Sequence, residues 1–270
     1  MNKKIGFIGC GNMATAMAGG LRQAELVVPE NILLYDAAPE AAAQLQEKTG
    51  AVVMNSGADV AAQADYLVLA VKPYIYPAVL KEIAGSVKDG AVVIVIAVGI
   101  SFDDIKNALG KNTRTIRVQP STPALVGESD TTVCPDDLIT KEELDEIITI
   151  MNSFGKTEVI SEKLMDVVPS IASSSPAYAL MLIEAMADGG VLHGFPRDQA
   201  IRLAAQSVYG AAKLVLETGE HPAVLKDRIC TPGGTTIEAV RTLEDEGFRK
   251  AVIAAVDACA NKSAGMMKKD

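Results

Sequence analysis

Short apolar runs alternate with longer, helix-like stretches over roughly the first 160 residues. Runs rich in β-branched and aliphatic residues predict strands at 4–8, 31–35, 51–54, 66–71, 91–98 and 115–118. Several are apolar throughout, which is typical of strands that helices cover on both faces. The intervening stretches are alanine-rich or amphipathic and predict helices at 14–24, 39–48, 60–64, 74–87 and 102–109. Repeated strand–helix units of this kind indicate a parallel, doubly wound α/β sheet.

The pattern changes after residue 161. Two more strands, at 131–134 and 157–160, flank a predicted helix at 141–154, and no further β-rich run follows. Helix formers then dominate and predict helices at 177–192, 196–216, 222–228, 236–246 and 248–267. We therefore predict a Rossmann-like dinucleotide-binding domain over residues 1–160, followed by an all-helical substrate-binding and dimerisation domain over 161–270.

Two of the predicted C-terminal helices are unusually apolar. Residues 177–186 and 200–216 carry alanine, leucine and valine on more than one face. A helix that is apolar all round requires burial on all sides, and about 110 residues do not easily provide it. We expect a homodimer formed through this domain, with a larger oligomer built from it as an extension. A self-contained bundle with an alanine-rich core is the alternative.

Composition and charge exclude several classes of protein. The formal net charge of −9 argues against nucleic acid and against an anionic membrane surface as partners. The longest apolar run, 91–100, is about half of what a membrane-spanning helix needs, so we expect a cytoplasmic protein. The four cysteines are far apart and only two histidines are present, so we expect reduced thiols and no metal site.

A glycine motif follows the first predicted strand and opens the first predicted helix. The segment Gly9-Cys10-Gly11-Asn12-Met13-Ala14 has the GxGxx(G/A) form of dinucleotide-binding loops. Gly9 permits a tight turn, and Gly11 lets the backbone approach a pyrophosphate. The unpaired N–H groups and the dipole at the start of the helix then face the phosphates. We predict that this loop binds NAD(P)H.

Asp36 ends the second predicted strand, about 22 residues beyond the motif. A carboxylate there normally accepts hydrogen bonds from the adenosine ribose and repels a 2′-phosphate. No lysine or arginine follows it in residues 37–40, so the sequence favours NADH. NADPH is not excluded, because a cation from elsewhere in the chain could fold in, and Asp36 could instead be a solvated loop residue.

Other strand ends complete the predicted cofactor site. Lys72 leaves the strand that ends in Leu69-Ala70-Val71, and it would pair with cofactor phosphate or ribose, or else be solvated. Proline follows Lys72 and fixes how it leaves the strand. The remaining candidates for cofactor contact are Asn55, Ala70, Val71, Ala97 and Gly99.

A second glycine turn lies late in the chain. Pro232-Gly233-Gly234 predicts a turn, and Thr235-Thr236-Ile237-Glu238 predicts a capping box at the start of a helix. Two adjacent glycines leave backbone N–H groups bare, and together with the helix dipole these form a small anion site. A substrate carboxylate is the natural occupant. A plain, well-capped turn is the alternative.

These motifs together resemble the pyrroline-5-carboxylate reductases along essentially the whole chain. The resemblance rests on three segments and on Ser174 with Pro176-Ala177-Tyr178; the segments are 6–13, 70–73 and 225–237. It implies that Thr231, Gly233, Gly234 and Thr235 hold the carboxylate of a small cyclic imine. It further implies catalytic roles for Ser174 and for Thr236, with Thr236 bonding the ring nitrogen while hydride reduces the imine carbon to give proline.

The sequence departs from that family's usual pattern at a few positions. Gln119 and Ser121 stand in Gln119-Pro120-Ser121-Thr122-Pro123, where the family usually has Met-Pro-Asn-Thr-Pro. Ser173 and Ser175 replace glycines, and Thr231 replaces serine. Gln119 is the oddest exchange, because it puts an amide near the expected nicotinamide pocket. These changes leave the reaction class intact but leave open whether a five- or six-membered imine is preferred.

Two other functions fit parts of the pattern. A β-hydroxyacid dehydrogenase or a six-membered-ring imine reductase has a similar two-domain plan, but a hydroxyacid dehydrogenase needs a lysine or histidine near Ser174, and none is evident. A dinucleotide-binding sensor would have no use for the Gly233–Thr236 anion site.

Overall fold

The computed structural model describes residues 1–267, and side chains as far as residue 265. The chain folds into two compact units. The first comprises Met1–Ser173 with the described residues from Ala260 onward, and the second comprises Ser174–Cys259.

An eight-stranded sheet with the order β3-β2-β1-β4-β5-β6-β7-β8 forms the centre of the first unit. Strands β1 to β6 are parallel, β7 is antiparallel to β6, and β8 is parallel to β7. The strands are β1 Ile5–Ile8, β2 Ile32–Tyr35, β3 Val52–Val53, β4 Tyr66–Leu69, β5 Val92–Val95, β6 Arg114–Gln119, β7 Ser129–Pro135 and β8 Gly155–Val159. The order of the first six is that of a dinucleotide-binding fold.

Helices cover both faces of the sheet. They are α1 Asn12–Gln23, α2 Pro39–Thr49, α3 Gly57–Ala61, α4 Tyr76–Ile83, α5 Phe102–Leu109, α6 Lys141–Met151 and α7 Glu162–Met165. Helices α1, α2 and α6 pack on the face that includes Phe7, and α3, α4 and α5 pack on the face that includes Ile8. Consecutive side chains of β1 thus enter opposite cores, which is why the strand is apolar throughout.

The second unit is helical and consists of α8 Ser175–Leu192, α9 Arg197–Thr218, α10 Pro222–Ile229, α11 Thr235–Asp245 and most of α12 Phe248–Met267. Its buried apolar cluster is small and is formed by Ala187, Ala200 and Ala204 with Ile183. A Cβ on Gly190 would lie 3.2 Å from the Cβ of Ala200, so small residues bring α8 and α9 close together. None of the helices in the described chain is both long and apolar enough to cross a bilayer.

The predicted fold class, a Rossmann-like sheet followed by helices, is confirmed, and the differences lie at element ends and in two short helices. The helix predicted at 60–64 begins earlier, at Gly57, because the Ser56 hydroxyl accepts a hydrogen bond from Asp59 N at 3.0 Å. Strand β5 ends at Val95 rather than at 98, ahead of Gly99 with its φ of +84°. Helix α7 and the π-helix Pro169–Ser173 were not predicted.

Candidate functional site

The glycine loop after β1 has the geometry of a phosphate cradle. Gly9 has a φ of +101°, and a Cβ there would lie 2.7 Å from the carbonyl oxygen of Ala70, so only glycine fits. A Cβ on Gly11 would meet nothing within 4 Å. Gly11 is the N-cap of α1, and no side chain caps the helix. The N–H groups of Asn12 and Met13 therefore begin a helix beside open space, which is the arrangement that binds a pyrophosphate.

Asp36 is fixed directly over this loop. Its Oδ2 accepts a hydrogen bond from Cys10 N at 2.7 Å, and its Oδ1 accepts one from Ala38 N at 2.9 Å. Burial of the Cys10 thiol, with the nearby Asp36 charge, raises the pKa of Cys10 to about 12. The thiol is therefore neutral at physiological pH and acts as a small apolar residue. Asp36 is an ordered carboxylate at the end of β2 rather than a loop residue solvated on its own.

The ends of β4 and β5 both lie close to Tyr76. The sequence analysis included this tyrosine in a predicted helix but assigned it no role. The Tyr76 hydroxyl donates to the Leu69 carbonyl at 2.6 Å, and the backbone N–H groups of Ile96 and Ala97 lower its pKa. Burial raises the pKa of Tyr76, and the two N–H groups partly offset that shift. Tyr76 thereby fixes the segments next to Ala70 and Ala97. A tyrosine among core positions was the available signal, because a buried hydroxyl needs partners.

The other cofactor candidates lie along the same sheet edge. The Ala70 N–H donates to the Ile8 carbonyl at 2.8 Å, which places Ala70 and Val71 against the glycine loop. Lys72 and Asn55 are exposed, while Ala97 and Gly99 are half-buried. Since β1, β3, β4 and β5 are parallel, these segments all follow carboxyl ends of strands, where Rossmann folds bind their ligands.

A chain of buried hydroxyls shapes the segment after β6. The Ser129 hydroxyl bonds the Thr131 hydroxyl at 2.8 Å and accepts from Ser121 N at 3.1 Å, while Ser121 Oγ accepts from Asp130 N at 2.9 Å. The Ser121 side chain is thus bonded within the fold. In contrast, Nε2 of Gln119 is buried and has no hydrogen-bond partner among the described residues.

The helical unit contains the second glycine turn. Gly233 has a φ of +67°, which favours glycine, and a Cβ on Gly234 would lie 2.4 Å from Thr231 Oγ1, so a larger residue there would displace the Thr231 side chain. The predicted capping box is wrong, because α11 begins at Thr235 with Gly234 as its N-cap and with no side-chain hydrogen bond to the cap. Among the described residues, no side-chain hydrogen bond caps the first N–H groups of α11. The anion-binding interpretation is therefore stronger than the capped-turn alternative.

The turn borders an open pocket of about 580 Å³ that Gly233, Gly234 and Thr235 line together with the first turns of α11. Thr236 follows in the same turn of helix and is half-buried. Glu238, also on this pocket, is paired with Arg241 at 2.6 Å, so its negative charge is partly neutralised. Ile237 and Ala239 also line the pocket, and the Thr235 hydroxyl and the backbone amides of the turn are its groups that suit a small carboxylate.

Ser174 is the N-cap of α8, directly after the π-helix, and Ser173 and Ser175 flank it. It belongs to the helical unit with Thr231–Thr236, whereas the cofactor candidates, from Gly9 to Gly99, belong to the first unit. In the part of the chain that the structure describes, no group of three or more His, Cys, Asp or Glu side chains could hold a metal ion.

Family models match both parts of the chain. Residues 4–99 match the family described as NADP oxidoreductase coenzyme F420-dependent, and residues 162–266 match the one described as pyrroline-5-carboxylate reductase dimerisation.

Similar proteins point the same way. The chain is 48% identical over 268 residues to a pyrroline-5-carboxylate reductase of Escherichia coli, covering 99% of this chain and 100% of that one. Among solved structures, a pyrroline-5-carboxylate reductase of Coxiella burnetii has a TM-score of 0.93 at 30% identity, with both chains fully covered. A Plasmodium falciparum pyrroline carboxylate reductase with NADP bound has a TM-score of 0.88 at 31% identity, with 99% of each chain covered. The motifs, the fold and these matches agree, and the chain belongs to the pyrroline-5-carboxylate reductase family.

Proposed function

We propose that this chain reduces the C=N bond of L-1-pyrroline-5-carboxylate to give L-proline, the last step of proline biosynthesis. One observation carries the proposal. Helices α1 and α11 both have a glycine N-cap, Gly11 and Gly234, and neither has a side-chain hydrogen bond at that cap. The first suits a dinucleotide pyrophosphate, and the second suits the carboxylate of a small substrate. A nicotinamide cofactor held at the first helix start would supply hydride to the imine carbon.

The protein's own residues bind and orient in this mechanism. The first N–H groups of α11, with Thr231, Gly233, Gly234 and Thr235, hold the substrate carboxylate. The Thr236 hydroxyl bonds the ring nitrogen and stabilises its proton, and Ser174 is a second polar group for the reacting ring. A protonated imine is already electrophilic, so no strong general base is needed. The protein contributes to catalysis by positioning the substrate and by stabilising its charged groups.

Replacing Thr236 tests this role. We expect Thr236→Ala to lower turnover about a hundredfold while NADH affinity changes little, since the hydroxyl acts on the substrate. Thr236→Ser retains the hydroxyl and serves as the matched control, with turnover close to that of the unaltered enzyme. Both variants are assayed by the fall in NADH absorbance with five- and six-membered cyclic imines. Near-normal turnover of Thr236→Ala would contradict the role of the Thr236 hydroxyl. Turnover of only the six-membered imine by the unaltered enzyme would contradict the proposed five-membered substrate.

For the cofactor, we propose NADH as the preferred form. The Asp36 carboxylate is held by Cys10 N and Ala38 N, and its negative charge lies where a 2′-phosphate would approach. Asp36→Asn removes the charge but keeps an acceptor for the loop. We expect its kcat/KM with NADPH to rise relative to that with NADH. An unchanged ratio, or a preference for NADPH in the unaltered enzyme, would contradict the proposal.

For the assembly, we propose a homodimer formed through residues 161–270, the substrate-binding and dimerisation domain. Residues 1–160 form the domain that binds the dinucleotide. The family model for residues 162–266 is described as a dimerisation domain, which supports the division. Further support comes from α8 and α9, whose apolar groove of about 590 Å³ includes Leu180, Met181 and Ile201. The four thiols are free, and we place the enzyme in the cytoplasm.

A further inference from the structure

Two residues that pair across β6 and β7, at the end of β6, each have a buried polar atom without a described partner. Gln119, the last residue of β6, is directly opposite Thr132 of β7 in the antiparallel register. Nε2 of Gln119 and Oγ1 of Thr132 are both buried, and neither has a hydrogen-bond partner among the described residues. Residues directly opposite in an antiparallel pair point to the same face of the sheet with Cβ atoms about 4.5–5.5 Å apart. The two orphaned groups therefore form one polar pair.

Such a pair needs an explanation, because a buried donor or acceptor without a partner destabilises the fold. The rest of this strand end satisfies its polar atoms, as the bonded hydroxyls of Ser121, Ser129 and Thr131 show. Gln119 and Thr132 retain only 5% and 7% of their surface. The terminal torsion of glutamine is broad, so the amide can turn toward the sheet edge without a change of χ1 or χ2.

The position of the pair indicates what it binds. Strands in the order 3-2-1-4-5-6 form two mononucleotide-binding halves. The glycine loop and Asp36 belong to the β1–β3 half, which leaves the β4–β6 half for the other mononucleotide. Val95, the last residue of β5, pairs with Arg117, and Gln119 ends β6 two residues further on, so Gln119 lies at the carboxyl end of that second half.

We propose that Gln119 and Thr132 recognise the carboxamide of the nicotinamide ring. The Gln119 amide N–H donates to the carboxamide oxygen, and Thr132 Oγ1 accepts from the carboxamide nitrogen. One donor and one acceptor on the protein match one acceptor and one donor on the ligand. Both residues position the ring, and their role rests on the proposed cofactor use. The Gln119 exchange then adds a nicotinamide contact that methionine, with no N–H group, does not provide.

Comparison of two nucleotides isolates the nicotinamide contribution. ADP-ribose is the comparison ligand because it has every part of the cofactor except the nicotinamide. NADH affinity is measured by the change in its fluorescence on binding, and ADP-ribose affinity is measured by calorimetry. We expect Gln119→Met to weaken NADH binding about tenfold, the worth of one hydrogen bond, and Thr132→Val to weaken it several-fold. ADP-ribose affinity should not change in either variant.

Thr157→Val is the matched control. Thr157 Oγ1 is also buried without a described partner, but it lies on β8 opposite Thr131, away from the β6 end, so nucleotide affinities should be unchanged. Gln119→Glu replaces the N–H donor by an acceptor of the same shape and should weaken NADH binding at least as much as methionine does. Unchanged NADH affinity in Gln119→Met or in Thr132→Val, or a parallel loss for ADP-ribose, would overturn the assignment of that residue. A failure to bind either nucleotide in the unaltered enzyme would instead refute the proposed cofactor.

Discussion

The two units of the chain differ most in where their apolar side chains lie. In the first unit, Phe7, Leu67 and Ile94 are completely buried between the sheet and its helices. In the second, Leu180 and Met181 expose 64% and 69% of their surface, and the fully covered residues are mainly alanines. A sheet covered on both faces encloses its own core, whereas a few helices of this composition do not. We therefore expect the first unit to be stable by itself and the second to depend on a partner surface.

The helices also differ in how their N-termini are capped. In the first unit, α3, α5 and α6 are capped by the side chains of Ser56, Ser101 and Thr140. Helices α1 and α11 instead have glycine N-caps without a side-chain cap, and each follows a turn with a positive-φ glycine. Side-chain caps stabilise a helix by about 0.5–2 kcal/mol, so α1 and α11 forgo that stabilisation where an anion can bind.

A charge on the exposed face of α8 should disrupt the contact between the second unit and its partner. We expect Leu180→Glu to weaken dimerisation by about 3–5 kcal/mol, because the dimer would bury an unpaired carboxylate. Light scattering at micromolar concentration should then report monomer. NADH should still bind, since the glycine loop belongs to the first unit.

The matched control is Val28→Glu, at a residue of the first unit that is 54% exposed. It should leave dimer and activity unchanged. A dimeric Leu180→Glu variant would contradict the role of this face, and a monomer that no longer binds NADH would contradict the independence of the first unit.

An added methyl group at Gly11 should separate nucleotide binding from folding. The space above Gly11 is open, so Gly11→Ala fits the protein alone but projects into the phosphate cradle. We expect NADH affinity to fall about 10- to 100-fold, the equivalent of about 1–3 kcal/mol of steric overlap, with an unchanged melting temperature. Calorimetric titration together with thermal unfolding measures both. Unchanged affinity would show that the pyrophosphate lies elsewhere.

Two neighbouring glycines of α1 should respond in opposite directions. A Cβ on Gly20 would lie 2.8 Å from the Cβ of Phe154, so Gly20→Ala should destabilise the first unit by about 1–3 kcal/mol. A Cβ on Gly19 would meet nothing within 4 Å, and Gly19→Ala should stabilise the helix by up to about 1 kcal/mol. Urea unfolding measures both free energies. Equal effects would mean that α1 does not pack as tightly as described.

The smallest effect should come from a carboxylate in the first unit. Burial would raise the pKa of Asp65, but hydrogen bonds from Lys88 Nζ at 2.7 Å and Lys4 N at 2.8 Å hold it below its ordinary value. Folding thus favours the ionised form. The resulting stabilisation is present above about pH 4 and is lost as the pH falls through the lowered pKa.

We expect Asp65→Asn to cost less than about 1 kcal/mol at pH 7, because the pair with Lys88 is partly exposed. The difference from the unaltered protein should shrink below pH 4 in urea titrations. Asp245→Asn on exposed α11 is the control and should be neutral. A difference that persists at pH 2 would show that the carboxylate's charge is not the cause.

Long periodic segments were predictable where local pattern and tertiary environment agree. Strand β4, the helix from Phe102 and the helices after residue 174 follow directly from apolar runs, proline and glycine. The error at Thr235–Glu238 is instructive, because the sequence fits a capping box while the chain begins its helix one residue earlier than the motif requires. The turn that precedes the helix is closed by the hydrogen bond from Gly234 N to the Thr231 carbonyl at 3.0 Å.

The sequence by itself determined the strand–helix alternation, the glycine loop, the late turn and the family resemblance, because each depends on residues adjacent along the chain. Only the tertiary structure decided the hydrogen-bonding surroundings of Asp36, Tyr76 and Gln119. Asp36 bonds a residue 26 positions away, and Tyr76 joins two strand ends. Nε2 of Gln119 is buried without a described partner where β6 pairs with β7. Burial and hydrogen bonding between distant segments are set by packing, and packing exists only once the chain has folded.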